Sequence, residues 1–500
     1  MKNIKSILIL SAALLFSNGC KKDDLVVKNL NDPDFEKVYA DGENIASQAG
    51  GLFTTVYNSA HQSSGVEPML ATAADNVTCS YGNFAMRDNS YEPRNFAWTN
   101  TAAYTYNTQT YNFFNAQYSA ILTSSLIIKA LNGGVNMPST TPGTPGTKAF
   151  SRFIMGIAYA NLALVFDRGF VVDEVLTLEG KIEDAVPYTD VAAAALKYLD
   201  DAISISTAST FTIPGSWLNT SGTISNVQLK ALASTYAAKT MAYLPRNKTQ
   251  LAAVNWAKVK TYADAGISAD FNVTIDDINV YDNSSYYLGQ GNDTWGRTDM
   301  YVVHLMDSAQ PAHWDDLASF PTPPASTNPQ DKRLLTDYKY LPSNSFIAAR
   351  GYYHFSNYRS KRYDAIFSQD YWAGTKPEVM KAENDLLKAE ARAYTSDPAG
   401  AAAIINAGTR VTRGQMTPVG TSLTAVVDAI KHERLVELPY SGANLAYYEM
   451  RKLDLLQKGT PLHYPLPAKI LETIAAPAPF YTFGTVAKAD GTGTSNAGWR

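Results

Sequence analysis

Two glutamates near the C-terminus have the spacing of a catalytic pair. Glu433 and Glu437 are four residues apart, so they share one face of a predicted helix. Two carboxylates on one face can act as the acid and the base of glycoside hydrolysis. More often such a cluster is a structural ion-pair network, here with arginines such as Arg410, Arg413 or Arg451. We therefore predict that the pair is structural and that the chain has no catalytic residues.

The other residue types that do chemistry lack a suitable spacing. The six histidines form no HExxH or comparable ligand pattern, and the sequence contains no phosphate-binding loop and no GxSxG motif. The sequence therefore predicts neither a metal site nor a cofactor. The two cysteines are Cys20 and Cys79. We expect Cys79 to be a small buried apolar residue, and we expect no disulfide framework.

Cys20 follows a segment with the features of an export signal. Lys2 and Lys5 give a basic start, and residues 7–16 are apolar apart from one serine. Ten helical residues rise only about 15 Å, which is too short for a hydrocarbon core of roughly 30 Å. The pattern resembles a bacterial lipoprotein signal, in which the cysteine becomes the first mature residue and carries lipid. The alternative is a plain signal peptide with an incidental cysteine.

These features divide the chain into three parts. Residues 1–19 are predicted to be the lipoprotein signal peptide, and residues 20–34 a polar, charged tether that carries the lipid. Residues 35–500 are predicted to form a single α-helical domain with loop-rich insertions at 66–112 and 266–376. Both insertions lack a helical period and are dense in Tyr, Trp, Asn, Asp, Gly and Pro. Ligand sites favour loops on a rigid scaffold, so we expect recognition to reside in these insertions.

The composition favours a neutral ligand and argues against nucleic acid. Only 18% of the residues are charged, the formal net charge is −4, and no basic face is evident. The chain contains 31 Tyr, 19 Phe and 7 Trp. An aromatic ring packs on the apolar face of a sugar, while uncharged polar groups bond its hydroxyls. Such surfaces are also common in exported proteins, so composition alone does not identify the ligand.

Apolar residues at steps of three and four predict paired helices. The predicted helices cover 148–166, 190–205, 226–244, 251–265, 377–396, 398–413 and 423–438. Small residues such as Ala160 and Ala391 would let neighbouring helices approach closely. We therefore predict a mainly α fold, in which tetratricopeptide-like helical hairpins support a long, irregular, loop-rich region. The spacing between the pairs is irregular, so no strict repeat is predicted.

A series of motifs runs in a fixed order through the C-terminal third. The motifs lie within 384–414, 425–456, 463–471 and 496–499, and they include AEA, INAGTR, HERLVEL, HYPLP and NAGW. Earlier segments at 152–172 and 188–205 extend the pattern. This order resembles the SusD/RagB family of Bacteroidetes outer-membrane nutrient-uptake lipoproteins. The resemblance covers most of the mature chain.

The resemblance implies a binding protein and not an enzyme. It implies that the protein binds an oligosaccharide and delivers it to a SusC-type TonB-dependent transporter in the outer membrane. The lipid on Cys20 would anchor it there, and Lys22-Asp23-Asp24 looks like the mark that directs such lipoproteins to the cell surface. Two alternatives stay open. The cargo would be peptide in a RagB-like protein, or the chain would be a secreted glycoside hydrolase that uses its acid pair.

The resemblance also implies where ligand binds. In glycan-binding relatives the site lies in the loop-rich part, away from the tetratricopeptide-like face, and uses stacked aromatics with polar neighbours. Matched by order along the chain, the candidate ligand-binding residues are Asp75, Arg87, Trp98, Asn100, Tyr286, Tyr287, Trp295 and Trp314. The alternative role for each aromatic among them is to fill the core of a loop.

Overall fold

The computed structural model describes most of the predicted domain. The described residues are 38–94, 96–174, 184–314, 322–344, 347, 349, 355–368, 372–483 and 493–500. The predicted signal peptide, the tether and Cys20 lie outside them and stay predictions, as does the single-domain assignment. Within the described residues, no helix combines the length and the apolar character needed to cross a membrane.

Helices account for most of the regular structure, which confirms the prediction of a mainly α fold. The first ten helices are α1 Gly42–Gly50, α2 Leu52–His61, α3 Glu67–Ala73, α4 Met86–Ser90, α5 Asn107–Asn132, α6 Gly143–Val165, α7 Tyr188–Ala208, α8 Asn226–Tyr243, α9 Lys248–Ala252 and α10 Trp256–Asp264. The others described are α11 Asn283–Tyr287, α12 Met300–Met306, α13 Arg333–Thr336, α14 Asp364–Phe367, α15 Lys381–Tyr394, α16 Pro398–Ala407, α17 Thr409–Thr412, α18 Leu423–Val436, α19 Leu445–Lys452 and α20 Ala468–Thr473.

The described strands are short and pair two by two, always antiparallel. They are β1 Val77–Thr78, β2 Arg168–Gly169, β3 Val186–Pro187, β4 Thr212–Pro214, β5 Thr223–Ser225, β6 Phe271–Ile275, β7 Arg297–Thr298, β8 Tyr338–Tyr340, β9 Tyr358–Ser360 and β10 Gly374–Val379. The pairs are β1–β7, β2–β3, β4–β5, β6–β10 and β8–β9. Two of them, β1–β7 and β6–β10, join segments that are far apart in the sequence, so they fix where the irregular loops lie.

The long helices pack against one another in a series that largely follows the chain. α2 packs on α5, α5 on α6, α6 on α7, α7 on α8, α8 on α10, and α10 on α15, which also contacts α16 and α18. Helices that contact their neighbours in this order form a scaffold of paired helices of the predicted kind. Its helices bury one continuous apolar cluster that runs along the chain from Ile45 to Leu471.

A glycine sets the closest approach in this array. A Cβ built on Gly156 of α6 would lie 2.6 Å from Leu199 Cγ of α7. Real Cβ atoms do not approach that closely, so the two helices pack at a distance that only glycine allows. Alanines were predicted to let neighbouring helices approach, and at this contact a glycine that was not predicted has that role.

Several helix boundaries differ from the predicted ones for local reasons. α6, α7, α8 and α18 match their predictions to within a few residues. The helix predicted over 377–396 begins only at Lys381, because 374–379 forms β10 opposite β6. The helix predicted over 398–413 divides into α16 and α17 at Gly408, whose backbone is extended. The helix predicted over 251–265 is likewise divided, into α9 and α10.

The sequence prediction missed α5, which begins inside the insertion predicted to lack helical period, and it also missed α1 and α2. The buried face of α5 includes Gln109, Thr110, Gln117 and Ser124, so no continuous apolar stripe appears in its sequence. Some of these polar side chains form hydrogen bonds with other elements: Gln117, for example, donates to Ser59 Oγ at 2.7 Å. The 66–112 insertion therefore holds α3, α4 and the start of α5 between its loops.

Two buried arginines close the C-terminal ends of scaffold helices. Arg246 donates to the carbonyls of Ala163 and Leu164 at the end of α6, at 2.6 and 3.1 Å. Arg451 donates to Leu164 at 2.8 Å and to the Tyr243 carbonyl at the end of α8 at 3.0 Å. These carbonyls carry the negative end of the helix dipole. Arg451 thus caps helices rather than pairing with the C-terminal glutamates.

Candidate functional site

Pairing of β1 with β7 brings the two loop-rich segments together. Val77 lies opposite Thr298 and Thr78 opposite Arg297. The loop that follows β1 belongs to the early segment, and α11 and the loop before β7 belong to the later one. Aromatic side chains from both segments meet at this junction.

Six aromatic residues form a continuous row at the junction. They are Tyr81, Phe84, Tyr286, Tyr287, Trp295 and Trp372, and we call them the aromatic ridge. The ring of Trp295 lies 4.8 Å from those of Tyr81 and Tyr287, centroid to centroid. Phe84 lies 4.7 Å from Tyr287. Tyr286 is 5.5 Å from Tyr287 and stacks on Trp372 at 4.6 Å with an interplanar angle of 26°.

The ridge has a buried base and an accessible side. Tyr81 is 37% exposed, and the other five rings are partly exposed. Below several of them lies a separate apolar cluster of Val77, Cys79, Met86, Leu288 and Tyr440. Rings packed from below are held rigidly, while their remaining surface can stack on an apolar face of a ligand. Cys79 is fully buried in this cluster, as expected from the sequence.

The loop after β1 holds Phe84 in a strained conformation. Phe84 and Ala85 have φ angles of 56° and 57°, in the left-handed region that non-glycine residues rarely occupy. Each such residue costs on the order of 1–3 kcal/mol, and such residues concentrate at ligand sites. Side chains stabilise this loop: Tyr106 donates to the Gly82 carbonyl at 2.5 Å, and Asn89 donates to the Ala85 carbonyl at 2.9 Å.

Ion pairs fix the loop that carries Trp295. Asp293 accepts from Lys339 at 2.6 Å and from Arg359 at 2.5 Å, and Arg359 also bonds Asp364 at 2.7 Å. Burial raises the pKa of Asp293, but the bonds from Lys339 and Arg359 outweigh it and the net pKa is lowered. The carboxylate therefore stays ionised and keeps the loop tied to β8 and β9.

A buried ionic cluster positions α11 and its two tyrosines. The Asp282 side chain caps α11, and Lys376 of β10 bonds both Asp282 and Ser285, the latter at 3.1 Å. Next to them, His61 bonds Glu67 at 3.2 Å through Nδ1. We call His61, Glu67, Asp282, Lys376 and Glu378 the His61 cluster, because His61 Nε2 also bonds Glu378 at 2.9 Å.

Three members of the His61 cluster, His61, Glu67 and Asp282, lie close enough together to hold a metal ion. Their chemistry does not fit one. Burial lowers the pKa of His61, but the Glu378 and Glu67 carboxylates outweigh it and raise the pKa to about 10, and each ring nitrogen meets one of these carboxylates, which favours the protonated ring. A histidine must be neutral to ligate a metal. The lysine that bonds Asp282 supplies the second positive charge, so the group is an ion-pair network.

Three of the eight residues predicted to bind ligand lie in the aromatic ridge: Tyr286, Tyr287 and Trp295. Arg87 lies beside it, in the segment that follows Phe84. Its guanidinium pairs with Asp88 at 2.8 Å, lies 5.4 Å from the centre of the Phe96 ring, and has a side chain that is 39% exposed. Arg87 is therefore accessible next to the ridge.

The structure does not bring the other four predicted residues into the ridge. Asp75 is buried and accepts from Arg94 and Trp499, both at 2.6 Å. Asn100 is buried and donates to two backbone carbonyls, at 2.9 and 3.0 Å. Trp98 is 5% exposed and packs edge-on against two tyrosines. Trp314 is partly buried, immediately before residues that are not described.

Three ridge residues were not predicted from the sequence: Tyr81, Phe84 and Trp372. All of them lie in the two segments identified as aromatic-rich loops, and this enrichment is the sequence signal that could have pointed to them. Matching by order along the chain could not select them, because their contacts depend on the β1–β7 pairing and on α11. The NAGW ending acquires a structural role instead: Trp499 stacks on Tyr301 at 4.2 Å and bonds Asp75.

The C-terminal glutamate pair is a structural network, as predicted. Arg333 binds Glu433 with two hydrogen bonds of 2.7 and 2.8 Å and reaches Glu437 at 3.0 Å. Arg413 and Arg362 also bond the Glu437 carboxylate, at 2.5 and 3.0 Å. Both carboxylates are buried and accept from arginines, so the contacts of each are those of an ion-pair network. The sequence prediction named Arg413 correctly but missed Arg333 and Arg362.

Comparison with known proteins places the chain by its fold. No family model matches it, and no curated protein matches its sequence. Solved structures do match. A SusD superfamily protein from Bacteroides vulgatus has a TM-score of 0.55 and 15% identity, and the match covers 83% of this chain and 88% of that one.

Two structures from Bacteroides fragilis give the same result. One, a SusD-like protein, has a TM-score of 0.56 and 13% identity, over 83% of this chain and 87% of that one. The other, a SusD-like carbohydrate binding protein, has a TM-score of 0.56 and 14% identity, over 83% and 86%. The chain has the SusD-like fold, so the resemblance in its motif order is confirmed at the level of the fold.

Proposed function

We propose that this SusD-like protein binds a neutral oligosaccharide on the aromatic ridge. The observation that supports the proposal is the row of six contacting aromatic rings, partly exposed and held from below. Successive sugars present apolar faces to such a row, and each stacked ring adds about 1–2 kcal/mol. One of the structures with the same fold is a SusD-like carbohydrate binding protein, which favours the same ligand class.

We further propose that the protein is lipidated at Cys20 and acts at the outer-membrane surface, where it hands its ligand to a SusC-type TonB-dependent transporter. The motif order and the signal-like N-terminus support this part. A Cys20→Ala variant should lose membrane attachment. Replacing Lys22-Asp23-Asp24 with alanines should leave the lipoprotein facing the periplasm, and intact cells that still bind antibody would contradict that export role. Co-purification with an outer-membrane barrel would test the partnership.

Calorimetric titration with a panel of neutral oligosaccharides tests the ridge. Trp295→Ala and Tyr287→Ala should each weaken binding about tenfold, because one stacking contact of about 1.4 kcal/mol is worth a factor of ten. Tyr111→Ala is the matched control. Its ring is also partly buried, but it lies on α5 under Lys469 and away from the ridge.

Equal affinity of the wild type, Trp295→Ala and Tyr287→Ala for a bound sugar would refute the ridge as the site. Peptides belong in the same panel, since aromatic rings also hold apolar side chains. A peptide that binds with the same dependence on Trp295, while sugars do not bind, would move the proposal to a RagB-like cargo. The protein would then still be a binder, and only the ligand class would change.

A further inference from the structure

A second concave feature lies among the C-terminal scaffold helices. A cavity of about 380 Å³ is lined by residues of α15, α16, α17 and α18. Pockets for small molecules occupy roughly 300–1,000 Å³, so the cavity can hold a small ligand. None of the residues that line it belongs to the aromatic ridge. An occupant of the cavity would therefore be bound independently of the oligosaccharide.

The cavity has an apolar part and a cationic part. The apolar side chains are Met380, Leu386, Ile404 and Ile405. The cationic side chains are Arg362, Lys381, Arg410 and Arg413, and carboxylates of Asp270, Asp385, Glu433 and Glu437 also line the space. Such a lining suits a ligand with an apolar body and an anionic head, provided that one cation remains available to it.

All four carboxylates are already engaged. Asp270 accepts from the backbone N–H of Lys381 at 2.7 Å, and Asp385 pairs with Lys381. Glu433 is held by Arg333 and by the Thr409 hydroxyl, the latter at 2.9 Å. Glu437 is held by three arginines, as described above. The carboxylates thus repel an incoming anion less than their number suggests.

Arg410 is the cation that remains available. Its side chain makes no hydrogen bond to any part of the chain that the structure describes, and its Nε is buried. Arg362 and Arg413, by contrast, already bond Glu437. A guanidinium presents five donors in a planar fork that matches a carboxylate. Burial lowers the pKa of Arg410, the Glu433 carboxylate opposes this, and the nearby Arg333 charge adds to it, so the net pKa is lowered. The charged guanidinium thus lies in an unfavourable environment, which a bound anion would improve.

We propose that this cavity binds a small organic carboxylate, with its head on Arg410 and its apolar body against Ile404, Ile405 and Leu386. The chemistry required is a single carboxylate on a compact apolar group. This site goes beyond the oligosaccharide function and does not depend on it, because the two linings share no residue.

Benzoate and its neutral analogue benzamide test the proposal on the purified protein. Titration calorimetry should detect benzoate binding, and benzamide should bind at least about tenfold more weakly because it lacks the charge. Arg410→Gln should weaken benzoate by a similar factor. Arg392→Gln is the matched control, since this arginine of α15 pairs with Asp264 and Asp397 and does not line the cavity.

A second variant covers the case in which Arg410→Gln fails to fold. Ala407 is exposed and lines the cavity, so Ala407→Phe should fill the space with little effect on stability and abolish benzoate binding. The proposal is overturned if benzoate fails to bind the wild type at about 10 mM, or if benzamide binds equally well. It is also overturned if Ala407→Phe leaves benzoate affinity unchanged.

Discussion

The His61 cluster predicts a stability that falls with rising pH. In the folded protein the pKa of His61 is about 10 against an ordinary value of 6.5, so folding binds a proton that the unfolded chain releases above pH 6.5. The contribution of the imidazolium is complete below pH 6.5 and is lost as the pH rises towards 10. Replacing His61 with glutamine keeps a hydrogen-bonding side chain and removes this proton.

The size of the effect follows from the shift. A pKa difference of about 3.5 units corresponds to about 5 kcal/mol at about 1.4 kcal/mol per unit. Burial raises the pKa of Glu67 even though His61 lies next to it, so this carboxylate opposes folding at neutral pH and part of the gain is offset. We therefore take about 5 kcal/mol as the upper limit of the His61 contribution to the free energy of unfolding below pH 6.5, and about 2 kcal/mol as its upper limit at pH 8.5.

Urea unfolding followed by tryptophan fluorescence at pH 6.5 and pH 8.5 measures the effect. The gap between the free energies of unfolding of wild type and His61→Gln should shrink by up to about 3 kcal/mol over this interval. His304→Gln is the control, because the Nδ1 atom of His304 meets the Gln310 carbonyl at 2.7 Å and not a carboxylate. Parallel pH dependences for wild type and His61→Gln would refute the assignment of the proton to His61.

Three further changes probe other buried contacts. Arg333→Met should lower the free energy of unfolding by about 3–5 kcal/mol, because it leaves the buried carboxylates of Asp331, Glu433 and Glu437 short of a cation; denaturant unfolding measures this change. Gly156→Ala should lower the free energy of unfolding by about 1–2 kcal/mol although alanine favours helices, because the added Cβ would collide with Leu199. A thermal-melting midpoint equal to or above that of wild type would contradict this packing. Burial and neighbouring arginines lower the pKa of His463 well below 6.5, so wild type should lose stability as the pH falls below 6.5, and His463→Gln should lack this loss when both are unfolded at pH 5 and pH 7.

Periodicity predicted the scaffold well where the buried face is apolar. α6 and α7 were predicted almost to their ends, because their buried faces are mainly Ala, Leu, Ile, Phe and Tyr. The sequence did not predict α5, where buried glutamine and serine interrupt the apolar pattern and the glutamines bond distant partners. Such partners cannot be read from local sequence, so a helix with a polar buried face looks like a loop.

The candidate site was predictable as a region but not as a surface. The sequence identified the two aromatic-rich segments as the region where recognition is expected, and the structure brings them together at the β1–β7 pairing. Two features decide which rings come into contact: the pairing of β1 with β7 and the left-handed backbone at Phe84. The pairing involves only two residues of each strand, which is too short to produce a recognisable sequence pattern. Trp98 and Asn100 match the chemistry of a sugar site equally well in sequence, yet both are buried by contacts with the C-terminal segment.

Two of the buried ionic networks, the His61 cluster and the Arg333 network, join the loop-rich region to the helical scaffold. The His61 cluster connects α2 and α3 to β10 and to the start of α11, which carries two ridge tyrosines. The Arg333 network connects α13 to α18 through Glu433 and Glu437. Buried ion pairs often add little net stability, because desolvation offsets their attraction, but a misplaced partner leaves a bare charge and is strongly disfavoured. We therefore infer that their effect here is positional: moving the loops on the scaffold would leave buried charges unpaired, and the placement that pairs them is the one in which the rings of the aromatic ridge are in contact.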